Sequence, residues 1–155
     1  NERHYGELTG LNKDQMKKVY GEKKIHIFRR SWDMAPAPLN KNNPNHPLNI
    51  EIYKNIPRNK IPDTESLKDT YERVIYYYLK NIEPLIQNDK NVLISAHGNT
   101  LRALCKKLFN ISDGNISKLE IPTGNPLLIK FRNNLKIDGC RYLDSSRSKD
   151  LLVKF

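Results

Sequence analysis

The sequence predicts an α/β fold, from three adjoining features. Residues 91–96 (NVLISA) form a short, β-branched run that is apolar on both faces, as suits a strand covered by helices on each side. A His97-Gly98-Asn99 turn follows it directly. Residues 100–109 then place Leu101, Leu104, Cys105 and Leu108 on one face of a helix. Strand, tight turn and helix make half of a βαβ unit. The 155 residues suffice for one hydrophobic core and are too few for two full-sized domains, so residues 1–155 are expected to be one domain or part of one. Apolar residues, 37% of the chain, cluster in periodic blocks, which argues against disorder along its length.

Taken in order, residues 11–20 predict a short helix capped by Asn12, with Met16, Val19 and Tyr20 on one face and Gly21 as its stop. Residues 35–62 hold Pro36, Pro38, Pro44, Pro47, Pro57 and Pro62 amid a run of asparagines, which opposes helix and central strand alike. A long surface loop is expected there, functional or serving as a linker. After Asp63 or Thr64 as cap, Leu67, Tyr71, Val74, Ile75, Tyr78, Leu79 and Ile82 repeat at helical spacing, and Pro84 reads as the stop. Ser112 reads as the cap of a short helix reaching about Leu119, with Ile111 and Ile116 placed as a hydrophobic staple. Residues 126–131 and 135–143 predict a hairpin turning at Asn133-Asn134. The polar tail ends in Leu151, Leu152 and Val153, which would dock or fray.

Lys and Arg number 27 against 17 acids, a formal charge of +10 that favours anionic partners. No run approaches the roughly 18 to 20 apolar residues that a membrane-spanning helix needs, and no secretory core is present, so no membrane partner is expected. Cys105 and Cys140 form no Cys-x-x-Cys pair, and the four histidines are scattered. No metal site is expected, and a reduced, cytoplasmic setting is the simplest reading.

His97 stands at the carboxyl end of the expected strand and opens a helix, where unpaired amides offer donors to an anion. It could hold phosphate as a cation or move protons near neutral pH, while Gly98 lets an anion approach the backbone. A histidine satisfied by a neighbouring carbonyl is the plain structural alternative. The opening Asn1-Glu2-Arg3-His4-Tyr5-Gly6 adds an acid, a guanidinium, an imidazole and a phenol. From Lys13 to Arg30, seven Lys or Arg face two acids, half the chain's net charge. Arginine suits phosphate and carboxylate because its planar fork donates in pairs. Lys17, Lys18, Lys23 and Lys24 read instead as a solvated helix face. Glu2 is expected to be ionised among these cations, and to serve as general acid and base once an anionic substrate cancels their field.

Together these blocks resemble a known family. The Asn1 to Gly6 block, Leu8-Thr9-Gly10-Leu11-Asn12-Lys13 and Arg29-Arg30-Ser31-Trp32-Asp33 are similar to the cofactor-dependent phosphoglycerate mutases of the histidine phosphatase superfamily. Glu65-Ser66-Leu67-Lys68-Asp69-Thr70, Glu72-Arg73-Val74, Ala96-His97-Gly98-Asn99-Thr100-Leu101-Arg102 and Ile121-Pro122-Thr123-Gly124 continue the match in order, to about residue 144. The first and third of these blocks are specific to the mutase branch, whereas His-Gly is shared with general phosphatases. The resemblance implies a three-layer α/β/α fold with a mainly parallel sheet. It also implies interconversion of 3-phosphoglycerate and 2-phosphoglycerate in glycolysis, through a phosphohistidine enzyme primed by 2,3-bisphosphoglycerate, without metal. Glu2 would donate and accept the proton, and His97 would bind the transferring phosphoryl. Arg3, His4, Tyr5, Lys13, Arg29, Arg30, Gly98 and Asn99 would bind substrate. Small-molecule phosphoglycerates would be the partners, and a homo-oligomer is expected of the intact protein.

The sequence departs from that family in one large respect. The family's nucleophilic histidine sits in an Arg-His-Gly motif upstream of the Asn-Glu-Arg-His block, and Arg3-His4 is followed by Tyr5. The chain is therefore expected to be a partial domain without its N-terminal strand, and inactive by itself. Trp32 and Met34 stand where the family usually has Tyr and Ile, with packing rather than chemistry affected. The alternatives are a phosphomonoesterase of the same superfamily, a basic nucleic-acid-binding module and a non-catalytic remnant. The nucleic-acid reading is disfavoured because aromatic and basic residues do not interleave and no such motif occurs.

Overall fold

The computed structural model describes residues 1–148. The chain divides into two compact units, one of Arg3–Thr70 and the other of Asn1–Glu2 together with the residues from Tyr71 onward.

In the first unit, the Asn12 side chain accepts from Asp14 N (2.9 Å) and Gln15 N (3.2 Å) and so caps α1 (Lys13–Tyr20). Gly21, at φ 80°, ends α1 and opens α2 (Glu22–Arg30), a helix that the sequence pattern does not separate from the surrounding charge. Only Ile25 of α2 is buried, so its apolar period is faint. Residues 35–62 contain neither α-helix nor strand, as the prolines imply, but do contain three single 3-10 turns: Pro47–Asn49, Glu51–Tyr53 and Arg58–Lys60. Asn40 and Asn43 accept from the backbone N–H two residues on, both at 2.9 Å, which fixes the run of asparagines as successive Asx turns. Gly6 has φ +54°, and a Cβ there would lie 2.1 Å from the Ala37 carbonyl oxygen, so glycine is required.

Helix α3 (Leu67–Tyr77) is capped by Ser66, not by Asp63 or Thr64 as expected. Asp69 N–H donates to Ser66 Oγ (3.1 Å) while Ser66 N–H donates to Asp69 Oδ2 (2.7 Å), a reciprocal capping box. The two expected caps are engaged elsewhere. Thr64 Oγ1 donates to Pro36 O, and Asp63 accepts from His46.

In the second unit the helix runs through a π-helical turn (Tyr78–Ile82) into α4 (Glu83–Gln87). Pro84 does not stop it, because proline falls in the first turn of α4, where a missing N–H costs nothing. α5 (Gly98–Leu108) packs Leu104 with Ile75 and Tyr78 in a buried cluster flanked by Tyr71, Val74, Ile82, Ile86, Ile94 and Leu108. α6 (Asp113–Ile116) is shorter than expected, yet Ile116 and Leu119 are both fully buried. β1 (Leu127–Phe131) and β2 (Ile137–Tyr142) form the expected antiparallel hairpin, with a register shift between Lys130 and Phe131 and Leu135 at φ 62° in its turn.

Residues 91–96, expected as a central strand, are not one. Among the described residues the only sheet is the two-stranded hairpin, and no segment pairs with 91–96. A strand needs a neighbour's hydrogen bonds as well as β-propensity, and Leu93 is 92% exposed. The observed class is α/β with a small antiparallel sheet. The reading of Leu151, Leu152 and Val153 lies outside the described residues. No described helix is long and apolar enough to cross a membrane.

Candidate active site

The clearest arrangement lies at the start of α5. His97 is its N-cap residue, extended at φ −74° and ψ 160°, with its carbonyl accepting from Leu101 N (3.0 Å) and its side chain exposed. The side chain makes no capping bond. That task falls to Glu2, ninety-seven residues before Asn99 in the chain. Glu2 Oε1 accepts from Asn99 Nδ2 (2.7 Å), and Glu2 Oε2 accepts from the Asn99 backbone N–H (3.4 Å). A carboxylate there answers both the unpaired amides and the positive end of the helix dipole. Thr100 Oγ1 donates to the Asn1 carbonyl (2.8 Å), and Arg73 donates to the carbonyls of Asn1 (3.3 Å) and Glu2 (3.2 Å). Backbone and side chain of Glu2 are thus both tied down. A Cβ on Gly98 would meet nothing within 4 Å.

The remaining expected residues belong to the other unit. Arg3 is 2% exposed, with its guanidinium turned inward. Nε donates to Glu65 O (2.7 Å), and Nη2 donates to Phe28 O (2.6 Å) and Met34 O (3.2 Å). The Arg3 guanidinium lies 5.4 Å and that of Arg29 4.7 Å from the Tyr5 ring centroid, so the phenol is gripped by two cations. Arg29 and Arg30 occupy the last turn of α2, where its dipole favours positive charge, and Lys13 is the exposed first residue of α1.

His4 is part of a polar cluster. Its Nδ1 accepts from Gly6 N (2.9 Å), and its backbone N–H donates to Glu65 Oε2 (2.8 Å). Its ring lies 5.8 Å from that of the fully buried His46, whose Nδ1 accepts from Leu48 N (3.1 Å) and whose Nε2 meets Asp63 Oδ1 at 3.1 Å. Both Nδ1 atoms act as acceptors, so both rings carry their proton on Nε2. Burial, and after it His46, holds the His4 imidazole below its ordinary value, against smaller opposing pulls from Glu65 and Asp63.

Sequence reasoning missed Arg102. It is 5% exposed, donates from Nε to Leu119 O (3.0 Å) and from Nη1 to Asn99 Oδ1. The available signal was an arginine three residues after Asn99, between Leu101 and the apolar Ala103, Leu104 and Cys105. Among the described residues no group of three His, Cys, Asp or Glu side chains is placed to hold a metal ion.

Residues 39–136 match the model of the histidine phosphatase superfamily (branch 1). The chain is 65% identical over 153 residues to a 2,3-bisphosphoglycerate-dependent phosphoglycerate mutase of Pelagibacter ubique, covering 99% of the chain and 64% of the relative. It is 43% identical over 152 residues to a protein of the same name from Maricaulis maris, covering 97% and 63%. A third, from Hydrogenobaculum sp., is 48% identical over 143 residues, covering 92% and 58%. The chain therefore spans about three fifths of the length of these curated relatives. The family match takes in the His97 turn and α5, and the relatives extend it across the block around Glu2. With more than half of its residues matched by the family model, the chain belongs to the histidine phosphatase superfamily (branch 1).

Proposed function

We propose that the protein interconverts 3-phosphoglycerate and 2-phosphoglycerate by phosphoryl transfer through a phosphohistidine, as a 2,3-bisphosphoglycerate-dependent phosphoglycerate mutase. The observation that carries this reading is the Glu2 carboxylate held by Asn99 on the first turn of the helix that His97 opens. Moving a phosphoryl group between neighbouring hydroxyls needs a proton taken from one oxygen and given to another, together with donors for the spread negative charge. Glu2 takes and returns the proton. His97 and the backbone at Gly98 hold the phosphoryl oxygens, while Asn99 orients Glu2.

Lys13, Tyr5, Arg29 and Arg30, donors only or phenolic, are the residues that would bind phosphate and carboxylate groups, whether of the substrate or of 2,3-bisphosphoglycerate. That group, when bound, supplies the phosphoryl that primes the histidine. Arg3 and His4 serve by fixing the loop that carries Tyr5. Phosphoglycerates, not nucleic acid or membrane, are the partners of this cytoplasmic, metal-independent and homo-oligomeric enzyme.

The 155 residues form part of a single mutase-like domain, three-layered with a mainly parallel sheet. Support for this comes from residues 91–96. Their exposed Leu93 and an apolar cavity of about 410 Å³ lined by Ile94, Val74, Tyr78 and Leu104 leave apolar surface without cover. Burying one such leucine is worth about 2 kcal/mol.

The test is incubation of the full-length protein with 3-phosphoglycerate and catalytic 2,3-bisphosphoglycerate. Formation of 2-phosphoglycerate, abolished when the bisphosphate is omitted, is expected. Release of inorganic phosphate without isomerisation would make the protein a phosphomonoesterase instead.

A further inference from the structure

We propose that Arg102 is a positioning residue that sets the orientation of the Asn99 carboxamide and, through it, the Glu2 carboxylate. This rests on the mutase reading above for its kinetic consequence, though the orientation itself does not. A carboxamide is two-faced: its oxygen only accepts and its nitrogen only donates. On one side of Asn99 stands Arg102, whose guanidinium has donors and no acceptor. On the other stands Glu2, both of whose carboxylate oxygens accept from Asn99. Only one of the two amide orientations satisfies both neighbours, with Oδ1 toward Arg102 and Nδ2 toward Glu2.

The opposite orientation would set Oδ1 against the Glu2 oxygens and Nδ2 against the guanidinium, two repulsive contacts in place of two attractive ones. Arg102 is itself fixed by its bond to the carbonyl of Leu119, a fully buried residue, and is almost wholly buried. The order therefore runs from a rigid anchor beyond α5, through Arg102 and Asn99, to the one carboxylate at the head of the helix.

The experiment uses the full-length protein with 15N-labelled asparagine, and compares wild type, Arg102→Lys and Arg102→Met. In wild type, the Asn99 side-chain NH2 protons should exchange with solvent at least about tenfold more slowly than those of a free carboxamide, as hydrogen bonding at both ends requires. In Arg102→Met that protection should fall several-fold, because Oδ1 loses its partner and the carboxamide turns more freely while Glu2 alone still accepts from Nδ2. kcat for 3-phosphoglycerate should fall about a hundredfold, the scale of a misplaced catalytic group, while KM stays within about twofold. Arg102→Lys, which retains a donor, should recover part of both.

Wild-type NH2 protons exchanging at the free rate would overturn the proposal without any variant, so it stays testable even if Arg102→Met does not fold. Unchanged kcat and exchange in Arg102→Lys and Arg102→Met would overturn it as well. A wild-type protein that protects Asn99 but turns over no phosphoglycerate would defeat the mutase reading and leave the orientation lock standing.

Discussion

The two units owe their internal cohesion to different means. Arg3–Thr70 buries a large share of charged and polar groups beside Leu8, Ile25, Leu39 and Leu67: Arg3, His46, Glu65, Ser66 and Thr70 are all buried there, each with hydrogen-bond partners. In the unit that begins again at Tyr71, helices close on an apolar cluster of Ile75, Tyr78 and Leu104. The difference teaches where each unit is vulnerable. A loop-rich unit built on polar groups keeps its shape through specific donors and acceptors, so losing one partner strands others in a place water cannot reach. A helical unit keeps its shape through volume, so its weak points are the residues that fill it.

The sharpest way to break this comparison is Arg3→Met. It removes the donors to the carbonyls of Glu65, Phe28 and Met34 and should destabilise Arg3–Thr70 by about 3 to 5 kcal/mol. Hydrogen exchange should report the loss in that unit first. Uniform acceleration over both units would refute the separation.

Leu104→Ala comes next, at about 2 to 4 kcal/mol, since it opens a cavity in the apolar cluster. Its faster exchange should centre on α3, α4 and α5. A loss under about 1 kcal/mol would mean that the cluster is not what holds these helices.

A smaller effect concerns acid. Gly6 N–H donates to the His4 Nδ1 lone pair, and protonation abolishes that acceptor. The folded His4 titrates below its ordinary value, so the unfolded chain binds the proton more readily. The contribution of His4 is therefore complete above pH of about 6.5 and declines as pH falls toward the lowered folded value. Asp63, Glu65, His46 and Lys41 surround this cluster. His4→Asn, whose Oδ1 can take the place of Nδ1 without titrating, should flatten that part of the pH dependence measured by urea unfolding. An identical decline in the variant would assign it to another group.

The same contrast explains what could be read from the sequence. Asn12 and Gly21 around α1, the helical period from Leu67 to Ile82 and the hairpin of β1 and β2 were all legible, because caps, period and turn chemistry are local. Helix α2 was not, since its single buried residue leaves no period to detect. Pro84 misled because a proline reads alike as the end of one helix or the start of the next. Residues 91–96 misled because propensity is local and strand pairing is not. At the site, His97 and Glu2 were legible as residue types, but their link through Asn99 joins positions far apart in the chain. Arg3 was legible as a cation and His4 as an imidazole, both expected to bind substrate; their hydrogen bonds within the loop were not legible, since burial decides which way a side chain turns. Arg102 was hidden for the same reason.

Glu2→Gln in the full-length protein, assayed for 3-phosphoglycerate isomerisation alongside calorimetric binding of 3-phosphoglycerate, bears most directly on the role given to the carboxylate at the head of α5. Glutamine keeps the shape and one acceptor but cannot exchange a proton, so kcat should fall about a hundredfold or more while binding persists. Isomerisation at the wild-type rate would contradict the account.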